Sequence, residues 1–162
     1  MSKPDYLFLD CEWADVRGTD LVSIGVVSID DSRYFYGECD ILPADPTSWV
    51  REVVYPLLER GSSAMAVNVM SSRLRSFLDG FSDPLICYDF GVDRDLCERL
   101  LELEASATEK TNAREIRWYL MDETRLALKT WWRQHPEKEA FRHHALADAR
   151  ALRSAFLSLW GV

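Results

Sequence analysis

With 162 residues, the chain is long enough for one hydrophobic core and short for two, so we expect a single domain spanning residues 1–162. Hydrophobic residues make up 48% of the sequence and charged residues 28%, a balance that excludes a mainly disordered chain. The formal net charge of −8 argues against a protein that binds nucleic acid through a broadly basic surface.

The start of the chain and its cysteines suggest a cytoplasmic protein with no membrane partner. The opening residues MSKPDYLF have neither the basic nor the apolar region of a secretory signal, and no apolar run approaches the roughly 18 residues of a membrane span. Cysteines occur at four positions inside apolar stretches, without a CxxC pair. We therefore expect them to be reduced core residues. They are Cys11, Cys39, Cys87 and Cys97.

The first half of the chain begins with strand patterns. Residues 6–11 and 21–29 are apolar and rich in β-branched side chains, and the aromatic segment 33–39 follows at hairpin distance. The second and third strands should therefore be antiparallel neighbours. Three prolines in residues 40–70 surround the segment 49–54, which predicts a short helix between two loops.

The rest of the chain alternates between helix and strand patterns. Ser71 and Ser72 are predicted to cap a helix that ends at Gly80. Three leading strands followed by this alternation predict an α/β fold with a mixed five-stranded sheet flanked by helices. The further predicted elements are a buried strand over 84–88, a helix over 93–104, a polar loop over 108–112, a strand over 116–120, a helix over 123–133 and a last helix from about Ala145 with Ala149, Leu152, Phe156 and Leu159 in one stripe.

Acidic residues stand at the ends of three predicted elements. Asp10 and Glu12 end the first strand, where their spacing of two places both side chains on one face. Two carboxylates so close repel unless a cation lies between them, although a hydrogen-bonded or exposed pair is the alternative. Asp93 opens the mid-chain helix, where it could bind a metal ion or cap the helix. Asp148 follows His143 on the apolar side of the last helix, where burial is costly without a partner or a metal ion.

Taken together and in this order, the motifs resemble those of the DEDDh 3′-to-5′ exonucleases, a family of RNase H-like enzymes. The first motif matches Asp10-Cys11-Glu12, the second matches DFGVDR at residues 89–94, and the third matches HHALAD at residues 143–148. The match spans nearly the whole chain. Within the family, the strand at 21–29 and the segment 49–52 make the chain most similar to the small stand-alone exoribonucleases. The resemblance implies an RNase H-like exonuclease fold.

The resemblance also implies a site and a reaction. Asp10, Glu12, Asp93 and Asp148 would hold two divalent cations, Mg²⁺ or Mn²⁺, and His143 would be the general base. Oxygen ligands suit these ions, and two such ions assist the hydrolysis of a phosphodiester bond. Four carboxylates balance the charge of two divalent cations, so the acidic composition is compatible with a phosphate substrate. The expected partner is the 3′ end of single-stranded RNA or DNA, and homodimerisation is left open.

Some assignments stay open at this point. His144 adjoins His143 and is a second candidate for the base, and Asp89 rivals Asp93. Glu12 and Trp13 lie where the resemblance places the terminal nucleotide, and Trp13 could either stack on a base or close the core. We expect release of nucleoside 5′-monophosphates and faster cleavage of RNA than DNA. The alternatives are an exodeoxyribonuclease and a catalytically silent RNase H-like binding module. Two further tryptophans are interpreted as packing residues, namely Trp131 and Trp132.

Overall fold

A mixed β-sheet forms the centre of the protein. The computed structural model describes residues 3–103 and 116–161. Within these ranges the strands lie side by side in the order β4-β3-β2-β1-β5-β6, with β1 antiparallel to β2 and parallel to β5. The strands are β1 (Asp5–Trp13), β2 (Leu21–Ser28), β3 (Tyr34–Cys39), β4 (Ala64–Met65), β5 (Pro84–Tyr88) and β6 (Arg117–Leu120).

The predicted α/β class, with a mixed sheet flanked by helices, is confirmed, but the predicted number of five strands is wrong because the sheet has six. All five predicted strands are present, and β2 and β3 are antiparallel neighbours as expected. The additional strand is β4, whose two residues pair in parallel with Glu38 and Cys39 of β3. A strand of two residues is too short to show an alternating pattern in sequence.

In the part of the chain that the structure describes, four α-helices cover the two faces of the sheet. Helices α1 (Val67–Asp79) and α2 (Gly91–Glu102) pack on one face, and α3 (Arg125–Gln134) and α4 (Ala145–Trp160) pack on the other. The predicted short helix near residues 49–54 is a π-helical turn at Val50–Val54. Among the described helices, none has the length and apolar character needed to cross a membrane. The remaining short helical turns are Tyr55–Leu57, Gly61–Ser63, Asp122–Thr124 and Pro136–Phe141.

Several predicted helix boundaries need correction. Helix α1 ends before Gly80 as expected, but it begins at Val67, so Ser71 and Ser72 lie within the helix and neither caps it. Its first turn is held by the fully buried Met70, a tertiary contact that outweighs the local capping signal. Helix α2 begins two residues before Asp93. Residue 104, the predicted end of that helix, and the predicted loop at 108–112 lie outside the described residues.

The side chains of β1 divide the core into two layers. Leu7, Leu9 and Cys11 belong to the cluster beneath α1 and α2, whereas Phe8 packs with α4. Strand geometry turns alternate residues to opposite faces, so the acidic residues that follow Phe8 at intervals of two lie on the α4 face. In the stripe predicted for the last helix, Ala149, Leu152 and Phe156 are buried, but Leu159 is 47% exposed. The four cysteines are buried and free, as predicted.

Candidate metal centre

The acidic residues of β1 lie at the edge of the sheet where parallel strands end. Asp10 and Glu12 come from the last residues of β1, which runs parallel to β5. Asp89 follows β5 directly, and Asp93 lies in the first turn of α2. Because parallel strands present their carboxyl ends at the same edge, residues separated by about 80 positions in sequence meet there.

The amino terminus of α4 reaches this edge because Gly25 lets it approach β2 closely. Gly25 pairs with Asp10 across the sheet, and a Cβ atom placed on it would lie 2.5 Å from the backbone nitrogen of Leu146. A side chain at this position would therefore collide with the first turn of α4. The close approach brings Asp148 of α4, and His143 just before the helix, to the end of β1.

Two clusters of possible metal ligands result. Asp10, Asp89 and Asp93 form one, and Glu12, His143 and Asp148 form the other. Within each cluster the ligand atoms lie within 4.8 Å of one another. The structure thus brings together all five residues predicted to bind metal or act as the base. It also places Asp89 beside Asp93 as a further carboxylate, so the two aspartates belong to one cluster.

Two carboxylate oxygens in these clusters are buried without a hydrogen-bond partner among the described residues. They are Oδ2 of Asp10 and Oδ1 of Asp148, one in each cluster. Unpaired buried polar atoms are costly, and a cation in each cluster would give each of these oxygens a partner. The donor set is oxygen with a single imidazole, which fits a hard divalent ion such as Mg²⁺ or Mn²⁺. These residues therefore fit one cation in each cluster.

Backbone N–H groups hold one oxygen of Asp93 and one of Asp148, which fixes the orientation of these two carboxylates. Asp93, which is 1% exposed, accepts a hydrogen bond from the backbone N–H of Cys11 at 3.1 Å. This contact ties α2 to β1, so the side chain of Asp93 links two elements. Asp148 Oδ2 accepts the backbone N–H of His143 at 2.9 Å. The remaining oxygen of Asp148 is thereby left for another ligand.

Burial and mutual repulsion favour the protonated forms of these carboxyl groups. Burial, followed by the charges of Asp93 and Asp148, raises the pKa of Asp10 well above its ordinary value. The same causes raise the pKa of Glu12 to about 8, and burial raises the pKa of Asp148 to about 7. The pKa of Asp93 is also raised, first by burial and then by Asp89. A bound cation opposes this effect because it favours the ionised form of each ligand.

The two adjacent histidines lie in different surroundings. His143 has a positive φ of 73°, an unusual conformation for a residue with a side chain. Its ring belongs to the cluster with Glu12 and Asp148 and contacts the Trp49 ring edge-on, with 4.8 Å between centroids. Burial lowers the pKa of His143, which favours the neutral ring.

His144 faces a neighbouring part of the sheet. Its ring stacks on Tyr36 of β3 with 4.4 Å between centroids, and Nε2 lies 3.5 Å from a carboxylate oxygen of Glu59. Of the two histidines, His143 is thus the one grouped with carboxylates that could share a metal ion. That His143 acts as the base stays a prediction.

An open cavity of about 1000 Å³ lies over the two clusters. Trp13 forms part of its wall, and the Trp13 ring is parallel to that of Phe90, with 5.9 Å between centroids. Trp13 also packs against the core, so it is both a core residue at the end of β1 and part of the cavity wall. Trp132 is buried, as the packing interpretation predicts, and it lines the cavity, whereas Trp131 is half-buried.

The sequence favours Asp93 over Asp89 as a ligand and predicts no role at the site for Trp49 or Phe90. Asp89 carries a recognisable signal, because it directly follows a buried strand just as Asp10 ends one. Trp49 lies in a proline-containing segment without periodicity, and Phe90 directly precedes α2. Their positions beside the clusters depend on how distant segments fold together, so no local pattern could have identified them.

No protein-family model matches this chain, and no curated protein is significantly similar to it in sequence.

Proposed function

We propose that the protein is a metal-dependent 3′-to-5′ exonuclease that hydrolyses phosphodiester bonds at single-stranded 3′ ends and releases nucleoside 5′-monophosphates. The observation that carries the proposal is a pair of neighbouring carboxylate groups at the base of one open cavity, Asp10/Asp89/Asp93 and Glu12/Asp148, with the His143 ring beside the second. Two adjacent cation sites are the arrangement used to clamp both oxygens of a displaced phosphodiester. The order of the motifs along the chain supports the same reaction through its resemblance to the DEDDh exonucleases.

The carboxylates would hold the cations, and the histidine would move a proton. When bound, two divalent cations supply charge that activates a water molecule and stabilises the leaving 3′ oxygen. Neutral His143 accepts the proton of the attacking water at a ring nitrogen, a role that its lowered pKa supports near neutral pH. Trp49 and the backbone hydrogen bond to Asp148 orient His143 for this transfer.

We expect RNA to be the preferred substrate. Glu12 and Trp13 lie side by side at the end of β1 and line the cavity, where the terminal sugar and base would be bound. A carboxylate oxygen of Glu12 that is not engaged with a cation can accept a hydrogen bond from a ribose 2′-hydroxyl, which DNA lacks. Trp13 offers an aromatic surface for a terminal base, an interaction worth about 1–3 kcal/mol per base in single-strand binders.

The decisive experiment incubates the purified protein with matched RNA and DNA oligonucleotides, labelled at the 5′ end, in Mg²⁺, Mn²⁺ or EDTA. The proposal expects a ladder of products shortened from the 3′ end, which depends on the metal ion and disappears in EDTA. Faster cleavage of DNA would overturn the RNA assignment. Binding of the oligonucleotides without cleavage in either metal ion would instead favour a catalytically silent RNase H-like module.

Matched variants connect the activity to the site. Asp10→Asn and Asp93→Asn are expected to abolish nearly all cleavage, whereas Asp79→Asn, which removes a charge from the exposed end of α1, should behave like the wild type. Asp89→Asn measures how much the additional carboxylate contributes. If Asp93→Asn were fully active and Asp89→Asn inactive, Asp89 would replace Asp93 as the essential ligand.

A further inference from the structure

Helix α3 differs in charge from the rest of this acidic protein. Its ten residues, RLALKTWWRQ, contain three cationic side chains and no Asp or Glu, although the whole chain has a net charge of −8. The cationic residues are Arg125, Lys129 and Arg133. They are spaced by four positions, so they share one face of the helix, and all three are exposed.

This cationic face borders the cavity over the ligand clusters. Arg125, Lys129 and Arg133 all line that cavity. At one end of the helix, the positive charge of Arg125 favours the ionised form of the Asp89 carboxyl group. At the other end, the guanidinium of Arg142 lies 5.8 Å from the centre of the Trp132 ring. Because Arg142 directly precedes His143, helix α3 runs alongside both ligand clusters.

The positive charge of this face is largely uncompensated within the described part of the chain. Arg125 forms an exposed ion pair with Asp122 at 3.1 Å. Lys129 and Arg133 form no ion pair with any residue in the described ranges. Cations four residues apart on a helix repel one another, so the pattern does not serve to stabilise the helix. It places three positive charges along a cavity whose floor is acidic.

We propose that the face of α3 formed by Arg125, Lys129 and Arg133 binds the phosphate backbone of a single-stranded oligonucleotide whose 3′ end lies at the ligand clusters. This inference rests on the proposed function for the choice of substrate. Arg125 and Arg133 are eight residues apart, which corresponds to about 12 Å along a helix. This length exceeds the rise of about 3.4 Å per phosphate of one strand, so the face can contact more than one phosphate. The preferred substrate would then be an oligonucleotide and not a mononucleotide ester.

Charge reversal at single positions tests the proposal in the full-length protein. The probe is a fluorescently labelled single-stranded RNA hexanucleotide, and its binding is measured by anisotropy in EDTA, where cleavage is not expected. Lys129→Glu and Arg133→Glu are compared with Arg73→Glu on the exposed face of α1, which changes the net charge by the same amount far from the cavity. Circular dichroism and thermal unfolding check that each variant is folded.

We expect each α3 variant to bind the hexanucleotide at least fivefold more weakly at low salt, while Arg73→Glu binds like the wild type. The neutral variants Lys129→Gln and Arg133→Gln should also reduce the slope of log K against log salt by about 0.7 each, the value for one lost contact to a single strand. Equal affinities of folded Lys129→Glu, Arg133→Glu and Arg73→Glu would overturn the inference. The inference would also be overturned if poly-glutamate displaced the labelled hexanucleotide as well as unlabelled RNA does, because the face would then bind an acidic protein segment.

The outcome separates this inference from the proposed function. If the wild type cleaves RNA and the α3 variants bind like Arg73→Glu, the exonuclease assignment stands and the role of α3 is wrong. If the wild type binds RNA through α3 and cleaves nothing in Mg²⁺ or Mn²⁺, the role of α3 stands and the exonuclease assignment is wrong. A wild type that neither binds nor cleaves overturns both.

Discussion

Replacing Asp148 by asparagine should stabilise the metal-free protein and weaken its response to divalent cations. The asparagine oxygen can still accept the N–H of His143, which the Oδ2 atom of Asp148 accepts at 2.9 Å. The change removes the charge on Oδ1, which is buried without a hydrogen-bond partner in the described residues. The substitution thus keeps the hydrogen bond between residue 148 and the backbone of His143 and removes only the negative charge.

The magnitude follows from the raised pKa. Burial raises the pKa of Asp148 to about 7, compared with about 3.9 for an aspartate in an unfolded chain. A difference of three pKa units corresponds to about 4 kcal/mol of unfolding free energy lost at pH 8, where the group is ionised in both states. The new amide N–H group offsets about 1–3 kcal/mol of the gain if it lacks a partner. The net stabilisation at pH 8 should therefore be about 1–3 kcal/mol.

Thermal unfolding in EDTA measures the effect. For a domain of this length, the variant should melt about 2–10 °C above the wild type at pH 8. The difference should shrink by about 2–3 kcal/mol between pH 8 and pH 5, because folded wild-type Asp148 binds a proton over this range while the same group in the unfolded chain stays ionised. Added Mn²⁺ should raise the melting temperature of the wild type more than that of the variant. A variant less stable than the wild type at pH 8, or a difference independent of pH, would refute the reasoning, and Asp79→Asn serves as the surface control.

Other perturbations test different parts of the site. In EDTA the wild type should lose stability between about pH 5 and pH 8, because Glu12, with a pKa of about 8, binds a proton in the folded state that the unfolded chain has already released; a stability that rises over this range would contradict the raised pKa. His143→Ala should lower the rate of cleavage about 10²- to 10⁴-fold while calorimetry still detects Mn²⁺ binding, and His144→Ala should have a mild effect; the reverse pattern would move the base to His144. Gly25→Ala should destabilise the protein by about 1–3 kcal/mol and lower its activity, because the new Cβ would displace the turn at Leu146; an unchanged melting temperature would argue against this close contact.

Local patterns in the sequence predicted five of the six strands that the structure describes and part of the composition of the site. Alternation along β1 places Leu7 and Leu9 in one core layer and the acidic residues on the opposite face, a consequence of strand geometry alone. The ordered set of short motifs, through its resemblance to a known family, also singled out Asp10, Glu12 and Asp148 before their positions in space were known. The pairing of β2 with β3 followed from a short turn, which leaves few alternatives.

Tertiary structure decided which of these residues meet and how they face one another. Asp89 joins Asp10 because β1 and β5 are parallel neighbours, and no local pattern specifies that pairing. The separation of the two adjacent histidines depends on the positive φ of His143 and on the packing of His144 against Tyr36. The cationic face of α3 is visible as a charge pattern, but only the packing of α3 places it along the cavity. Secondary structure depends on neighbours in sequence, whereas a site assembled from separate elements depends on contacts that form only when those elements pack together in the folded protein.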